Sequence, residues 1–132
     1  MTQRTFKTAW FAKAARKSRI SDADLCKAIA QVASGHADDL GGGVFKKRLN
    51  DNRHRSIILT KSGRFWVYEY LFAKKDRANI EDNELAEFRK LAKAYAGLTD
   101  PQIGELLFDG DFVEICHEQG QKIQFRRLRG DP

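Results

Sequence analysis

Cysteine is scarce in this chain and long apolar runs are absent, and both features exclude several classes of protein. Cys26 and Cys116 are the two cysteines among 132 residues. Two thiols so far apart form neither a zinc-site motif nor the disulfide framework of a small secreted domain, so we expect each to be a small buried apolar residue in a reducing compartment. No run approaches the roughly 18 apolar residues of a membrane span, and the N-terminus lacks the apolar stretch of a signal peptide. These absences predict a cytoplasmic protein without a membrane partner.

Two common patterns of cofactor binding are incomplete. Glycines 41–43 form a glycine-rich turn, but the Lys-Ser/Thr pair and the following helix of a phosphate-binding P-loop are missing. Within the most basic segment, Asp51, Glu69 and Asp76 are spread over different predicted elements, whereas hard cations prefer several convergent carboxylates. We therefore expect no cofactor and no metal ion.

Basic and acidic side chains are strongly segregated along the chain. The formal net charge is +6, yet residues 43–77 contain ten Lys and Arg against three Asp and Glu, a net charge of +7. Residues 78–118 contain ten acids against three bases, a net charge of −7, and residues 1–19 contain six bases and no acid. Concentrated positive charge of this kind is typical of a polyanion-binding surface, although bases on solvated strand faces would give the same pattern.

Hydrophobic periodicity divides the chain into helices and strands. Ser21 is a suitable N-cap for a helix that ends at Gly35. A shorter helix precedes Ser21, and the two helices are predicted to form a helical hairpin. Three strand-like segments with short polar turns then indicate an antiparallel meander. The predicted elements are a strand at 4–8, a helix around 10–15, the helix after Ser21, strands at 44–49, 55–60 and 64–73, helices at 81–96 and 100–109, and a strand at 112–116.

This order of elements predicts one α+β domain over residues 1–117, with an N-terminal helical hairpin packed on a twisted antiparallel sheet and helices after it. Residues 118–132 form a basic C-terminal tail. The strand at 64–73 is apolar or aromatic on both faces, which favours a central position in the sheet.

Several local motifs in one order resemble the RelE/ParE superfamily of toxins from bacterial type II toxin-antitoxin modules. The similarity is to a HigB-like branch that is often of phage origin, and it covers residues 4–97 well and extends more loosely to about 117. The motifs are Trp10-Phe11, the LGGGVFKKR stretch at 40–48, His54-Arg55 and the FAKKDRANI stretch at 72–80.

The resemblance implies a ribosome-dependent mRNA endonuclease that works without metal, by attack of a ribose 2′-OH on the adjacent phosphate. Arginine and lysine suit the stabilisation of charge on the phosphoryl oxygens. The resemblance implies that Arg55 and Lys74 hold the scissile phosphate, and that Arg77 assists them or fixes its loop. It also implies an antitoxin partner with a helix-turn-helix domain, besides mRNA and the ribosome. The implied RNA and ribosome contacts are Lys46, Lys47, Arg48, Arg53 and Lys61, of which alternate residues of a strand face opposite sides.

The sequence leaves several alternatives open. Arg55, Lys74 and Arg77 would instead be structural if they formed salt bridges with the acidic helix at 81–87. His54 titrates near neutral pH and is either an acid or base of the reaction or a turn residue without a chemical role. Alternating aromatic residues on the strand at 64–73 are either base-stacking platforms or core: Trp66, Tyr68, Tyr70 and Phe72. The alternative function is a non-nucleolytic ParE-like gyrase poison, or a degenerate module that only binds antitoxin or nucleic acid.

Overall fold

Four helices and six strands make up the described part of the chain, and they confirm the α+β class. The structure is a computed structural model that describes residues 3–60 and 63–117. Lys61 and the predicted tail at 118–132 lie outside the described residues. The elements are β1 (Arg4–Thr8), α1 (Ala9–Lys17), α2 (Asp22–Ala33), β2 (Asp38–Gly41), β3 (Val44–Leu49), β4 (His54–Leu59), β5 (Phe65–Ala73), α3 (Asp82–Ala96), α4 (Asp100–Asp109) and β6 (Phe112–Ile115).

The strands form a single mixed sheet in the order β2-β3-β4-β5-β1-β6. The predicted antiparallel meander is present as β3, β4 and β5, and β5 is central as expected. The sheet is not antiparallel throughout, however, because β1 lies parallel to β5 with Phe6 opposite Val67. Periodicity indicates which faces of a strand are buried, but it does not indicate which distant strand lies beside it.

The strand β2 lies just before the glycine-rich turn at 41–43, where the sequence pattern predicted no strand. Its two aspartates are exposed, which removes the apolar alternation by which a strand is recognised. The glycines after it allow a tight reversal into β3. Gly42 has φ +65°, and a Cβ there would lie 2.7 Å from Cγ of Arg89, a residue of α3. The turn therefore needs glycine both for its backbone conformation and for the close approach of α3.

Local capping signals set the bounds of the helical hairpin. The Thr8 hydroxyl accepts a hydrogen bond from the Phe11 amide at 3.0 Å and begins α1. The Ser21 hydroxyl accepts from the Asp24 amide at 3.1 Å, while the Asp24 carboxylate accepts from the Ser21 amide, which makes a capping box. The predicted N-cap at Ser21 is confirmed. Hydrogen bonds between residues three positions apart thus begin both helices of the hairpin.

Helices cover both faces of the sheet. On one side, which we call the hairpin face, side chains from α1 and α2 pack on the sheet. On the other side, which we call the α3 face, α3 and α4 pack on the sheet in two adjoining clusters. Core residues of the hairpin face include Phe11, Leu25, Ile58, Trp66 and Tyr68, and those of the α3 face include Phe6, Ile57, Val67, Phe72 and Ile103.

A β-bulge interrupts the alternation in β5. Ile57 is paired with Tyr70 and Ile58 with Tyr68, so Glu69 is an extra residue on β5. Beyond this point Leu71 packs in the hairpin-face core, whereas Tyr70 and Phe72 pack against α3. The expectation of strict alternation along this strand is therefore wrong after Tyr68.

Cys26 and Cys116 form a disulfide, with Cα atoms 5.3 Å apart. The expectation of two unpaired buried cysteines is wrong. The bond joins α2 to the residue after β6 across a sequence separation of 90 residues. Cysteine count and spacing do not indicate such a pairing, because it depends on the packing of α2 beside the end of β6. Among the helices of the described segments, none is long and apolar enough to span a bilayer.

Candidate nucleic-acid interface

An open cleft of about 1200 Å³ lies at the end of the sheet where β3 ends, β4 begins and β5 ends. Its walls are the end of α1, the turn between β3 and β4, and the segment after β5. Five lysines and arginines line it against two aspartates, and we call it the basic cleft. The lining residues are Lys17, Ser18, Arg19, Asn50, Asp51, Asn52, Arg53, His54, Ala73, Lys74, Lys75 and Asp76.

The turn between β3 and β4 forms one wall and has an unusual backbone. Asn50, Asp51 and Asn52 have φ values of +55°, +54° and +70°, in the left-handed region that Asn and Asp tolerate better than most residues. Arg53 secures the turn, since its guanidinium donates to the main-chain and side-chain oxygens of Asn50, both at 3.1 Å. The Asn-Asp-Asn sequence thus positions Arg53 and His54 at the mouth of the cleft.

His54 lies in the cleft with its ring oriented by Asn50. Nδ1 of His54 is 3.2 Å from the Asn50 side-chain nitrogen. With the amide assigned as the donor, Nδ1 accepts and Nε2 carries the proton of the neutral ring. Partial burial lowers the pKa of His54 from its ordinary 6.5, and Arg53 lowers it further, while Asp76 opposes the shift. His54 is therefore mainly neutral at neutral pH.

Lys74 lies opposite Arg53 at the tip of the sheet. The Lys74 amide donates to the Arg53 carbonyl at 2.8 Å and continues the β4–β5 ladder by one step. The side chain of Lys74 is exposed, and its ammonium has no hydrogen-bond partner among residues 3–60 and 63–117. Of the predicted site residues, Lys74 and Arg53 are thus brought together in the basic cleft.

Arg55 does not line the cleft and lies on the α3 face. It is paired with Phe72 of β5 and with Arg48 of β3, and Phe72 is a core residue of that face. Nη1 of Arg55 donates to the carbonyls of Asn52 and His54, at 3.0 and 3.2 Å. Its Nε and Nη2 have no partner in the described part of the chain. Arg55 thus holds the turn with one edge of its guanidinium and leaves the other edge available for an anion.

The predicted RNA contacts on β3 divide between the two faces, as alternation requires. Lys46 is paired with Ile57 on the α3 face, and its ammonium lies 3.3 Å from the Asn79 side-chain oxygen. Arg48 is two residues along on the same face. Lys47 is on the hairpin face and donates to the His36 carbonyl at 3.0 Å. One flat RNA surface cannot contact both sets at once.

Arg77 is engaged by residues of its own chain. Its Nη1 donates to Glu84 at 3.1 Å and to the Tyr70 hydroxyl at 3.3 Å, Nη2 donates to the other Glu84 oxygen, and Nε donates to the Asn79 carbonyl at 3.0 Å. Its guanidinium also lies 5.5 Å from the centre of the Phe72 ring. The hydrogen bonds with Glu84 raise the pKa of Arg77. The structure thus contains the salt bridge to the acidic helix that was the structural alternative for this residue.

Most of the alternating aromatic residues on β5 are core residues. Trp66, Tyr68 and Phe72 are buried, and the Tyr68 hydroxyl donates to the Leu25 carbonyl at 2.7 Å. Tyr70 is half-buried beneath the ring of Trp10. The ring of Trp10, which lies on Tyr70, is exposed instead. In the sequence Trp10 stood out only as part of a motif.

Sequence reasoning also missed the contribution of α1 to the cleft. Lys17 and Arg19 line it from the end of that helix, 24 or more residues before the segment with the strongest positive charge. The available signal was the N-terminal stretch of six bases without an acid. Within the described ranges, no three His, Cys, Asp or Glu side chains converge in a way that could hold a metal ion.

Comparisons with known proteins assign the chain to a family. Comparison with curated proteins finds no match, and comparison with solved structures finds none. A family model described as the RelE toxin of the RelE / RelB toxin-antitoxin system matches residues 3–115. The match extends from β1 to β6 and includes every wall of the basic cleft. The chain therefore belongs to the RelE toxin family.

Proposed function

We propose that this toxin inhibits translation by cleaving mRNA on the ribosome without a metal ion, and that a cognate antitoxin neutralises it. The observation that carries the proposal is the basic cleft, where five lysines and arginines face two aspartates at the exposed end of the sheet. A single RNA strand presents phosphates to such a surface and unstacked bases beside it. Membership of the RelE family supports the class of function.

The proposed reaction is attack of a ribose 2′-OH on the adjacent phosphate, with departure of the 5′-oxygen. In this proposal Lys74, from the basic cleft, and Arg55, from the adjoining α3 face, hold the scissile phosphate between them at the tip of the sheet, and each has donors without a partner in the described part of the chain. Their cationic groups stabilise the negative charge that gathers on the phosphoryl oxygens. Arg77 positions the segment that carries Lys74, because its own donors are taken by Glu84, Tyr70 and Asn79.

The remaining bases of the proposed site contact the RNA backbone and the ribosome outside the reacting phosphate, with the two faces of the sheet meeting different surfaces. Arg53 contributes from the turn, whereas Lys46 and Arg48 extend the positive surface along the α3 face and Lys47 along the hairpin face. Lys61 belongs to the same proposed set. In this proposal His54 donates through Nε2 of its neutral ring to a ribose or phosphate oxygen, because Nδ1 is taken by Asn50.

Mapping of RNA 5′ ends after induction of the protein in cells tests this function. We expect cuts confined to translated reading frames. Intact mRNA together with DNA breaks and an SOS response would contradict the proposal and favour a gyrase poison. A helix-turn-helix reading frame beside this one would support the proposed antitoxin.

A double variant tests the site. Arg55→Ala with Lys74→Ala should abolish growth arrest while binding of the antitoxin persists. The matched control is Lys90→Ala with Lys93→Ala, which removes the same charge from exposed positions of α3 and should leave toxicity unchanged. Toxicity that survives the first double change would remove Arg55 and Lys74 from the site.

A further inference from the structure

Trp10 presents a large aromatic ring to solvent in a fixed orientation. The residue is 52% exposed and is the second residue of α1, two positions after the end of β1. One side of its indole stacks on the Tyr70 ring, with centres 5.2 Å apart and planes 25° apart. The other side has no aromatic partner among the described residues, so an aromatic platform is exposed at the surface.

The surface beneath Trp10 is rigid. Tyr70 packs with Phe72 and Phe88 at ring-centre distances of 5.8 and 5.9 Å. The Tyr70 hydroxyl accepts a hydrogen bond from Arg77, which Glu84 holds in turn. The Tyr70 ring that supports the indole is therefore held by contacts of its own, and a supported platform lowers the entropic cost of stacking.

A row of positive charge leads from Trp10 to the basic cleft. Trp10, Lys13 and Lys17 are spaced i, i+3 and i+7 and lie on one side of α1, whereas Phe11 and Ala15 are buried. Lys17 lines the cleft. At a rise of 1.5 Å per residue the row is about 10 Å long. Neither Lys13 nor Lys17 forms a salt bridge within the described ranges, so both charges are available to an anion.

We propose that Trp10 stacks on an unpaired base of a single RNA strand whose phosphates follow Lys13 and Lys17 into the basic cleft. The inference rests on the proposed function and adds to it a base-binding position. An aromatic ring next to a line of cations is the arrangement by which proteins bind single-stranded nucleic acid, since every base has a π-face and every phosphate a charge. An acidic protein segment would also pair with these lysines, so the test below separates RNA binding from antitoxin binding.

Phe108 provides a matched contrast. It is 92% exposed on α4, but the end of that helix carries acidic residues, with Asp109 one position and Asp111 three positions after it. Exposure alone therefore does not distinguish a base-binding ring such as Trp10 from an exposed ring such as Phe108. What distinguishes it is the stacked and hydrogen-bonded support together with the neighbouring lysines.

Equilibrium binding of the full chain to a short, unstructured 2′-O-methyl oligoribonucleotide tests the inference. This strand has no 2′-OH and cannot be cleaved by the proposed reaction, and an abasic strand of equal length and charge serves as its comparison. Trp10→Ala should raise the Kd for the base-bearing strand by roughly 5- to 150-fold, the range for loss of one base–aromatic stack. Trp10→Phe and Phe108→Ala should change it little, and all four proteins should bind the abasic strand equally.

The wild-type protein provides a readout that needs no variant. Trp66 is buried, so quenching of tryptophan emission by the base-bearing strand, but not by the abasic strand, would report stacking on Trp10. The inference would be overturned if both strands quenched the emission equally, or if Trp10→Ala lost the same affinity for both strands. It would also be overturned if Trp10→Ala bound the antitoxin more weakly and RNA as before. Quenching without mRNA cleavage on ribosomes would overturn the proposed function alone, and cleavage without quenching would overturn this inference alone.

Discussion

Arg77 and Glu84 form a two-pronged salt bridge that ties the segment after β5 to the first turn of α3. The same carboxylate accepts the Glu81 amide at 2.7 Å and so completes the capping box of the helix. Hydrogen bonds from Arg77 and Glu81 lower the pKa of Glu84. One side chain therefore sets both where α3 begins and where the segment that carries Lys74 lies.

We expect Arg77 and Glu84 to act as one unit in the proposed reaction. Arg77→Ala and Glu84→Gln should each lower mRNA cleavage by about 10- to 100-fold, because loss of either partner misplaces Lys74. The double variant should be no worse than either single variant. Steady-state cleavage on ribosomes measures this, and Glu87→Gln, whose carboxylate is exposed and pairs with Lys90, is the control. A far larger loss in Arg77→Ala than in Glu84→Gln would instead place Arg77 on the phosphate.

His54 should titrate below its ordinary pKa of 6.5 in an NMR pH titration of its ring protons. Arg53→Ala should raise this pKa, since it removes a neighbouring positive charge, and Asp76→Asn should lower it further. Because the unfolded chain then binds the proton more readily than the folded one, the free energy of unfolding should fall as the pH drops through 6.5. His54→Asn should flatten that slope. An unchanged titration in Arg53→Ala would show that the two side chains do not interact.

Reduction of the Cys26–Cys116 disulfide should destabilise the protein. The bond closes a long loop, with 90 residues of sequence separation, and such a cross-link stabilises a fold by about 2–5 kcal/mol, largely through the unfolded state. Denaturant unfolding with and without a reductant measures the difference. The double variant Cys26→Ser with Cys116→Ser should unfold at the same denaturant concentration in both conditions. Alkylation of two free thiols in the folded, unreduced protein would contradict the pairing.

Tyr95 should stabilise a partly buried carboxylate. Its hydroxyl donates to Glu69 at 2.7 Å, and burial raises the pKa of Glu69 while this hydrogen bond lowers it. Tyr95→Phe should lower the free energy of unfolding at neutral pH by about 1–3 kcal/mol, because the carboxylate loses its donor.

The pH dependence of the stability lost in Tyr95→Phe tests whether Tyr95 stabilises the Glu69 carboxylate. Protonation of Glu69 removes the charge that Tyr95 stabilises, and the folded-state pKa of Glu69 lies above its ordinary 4.5, so the deficit of Tyr95→Phe should shrink as the pH falls from neutral toward 4.5. Glu69→Gln should remove that pH dependence. Denaturant unfolding at acid and at neutral pH is the measurement. If Tyr95→Phe lost the same free energy of unfolding at both, Tyr95 would not be the residue that stabilises the Glu69 carboxylate.

The parts of this protein that depend on neighbours in sequence could be predicted from the sequence. Ser21 caps a helix through bonds to a residue three positions away, and the meander of β3, β4 and β5 needs only short turns. The segregation of charge likewise pointed to residues 43–77, which supply three of the five bases that line the basic cleft. Capping, periodicity and turn formation act over a few residues, and so they can be recognised in a single chain.

The composition of the basic cleft was decided by tertiary structure. Lys17 and Lys74 are far apart in the chain and meet because α1 runs beside the end of β5. The bulge at Glu69 turns Tyr70 toward Trp10, and the packing of α2 near the end of β6 brings Cys26 to Cys116. The helices, most of the strands and the segregation of charge along the chain followed from local sequence patterns. Which side chains share a site depended on contacts between segments distant in sequence, whose energies arise only when the sheet and its covering helices are packed together.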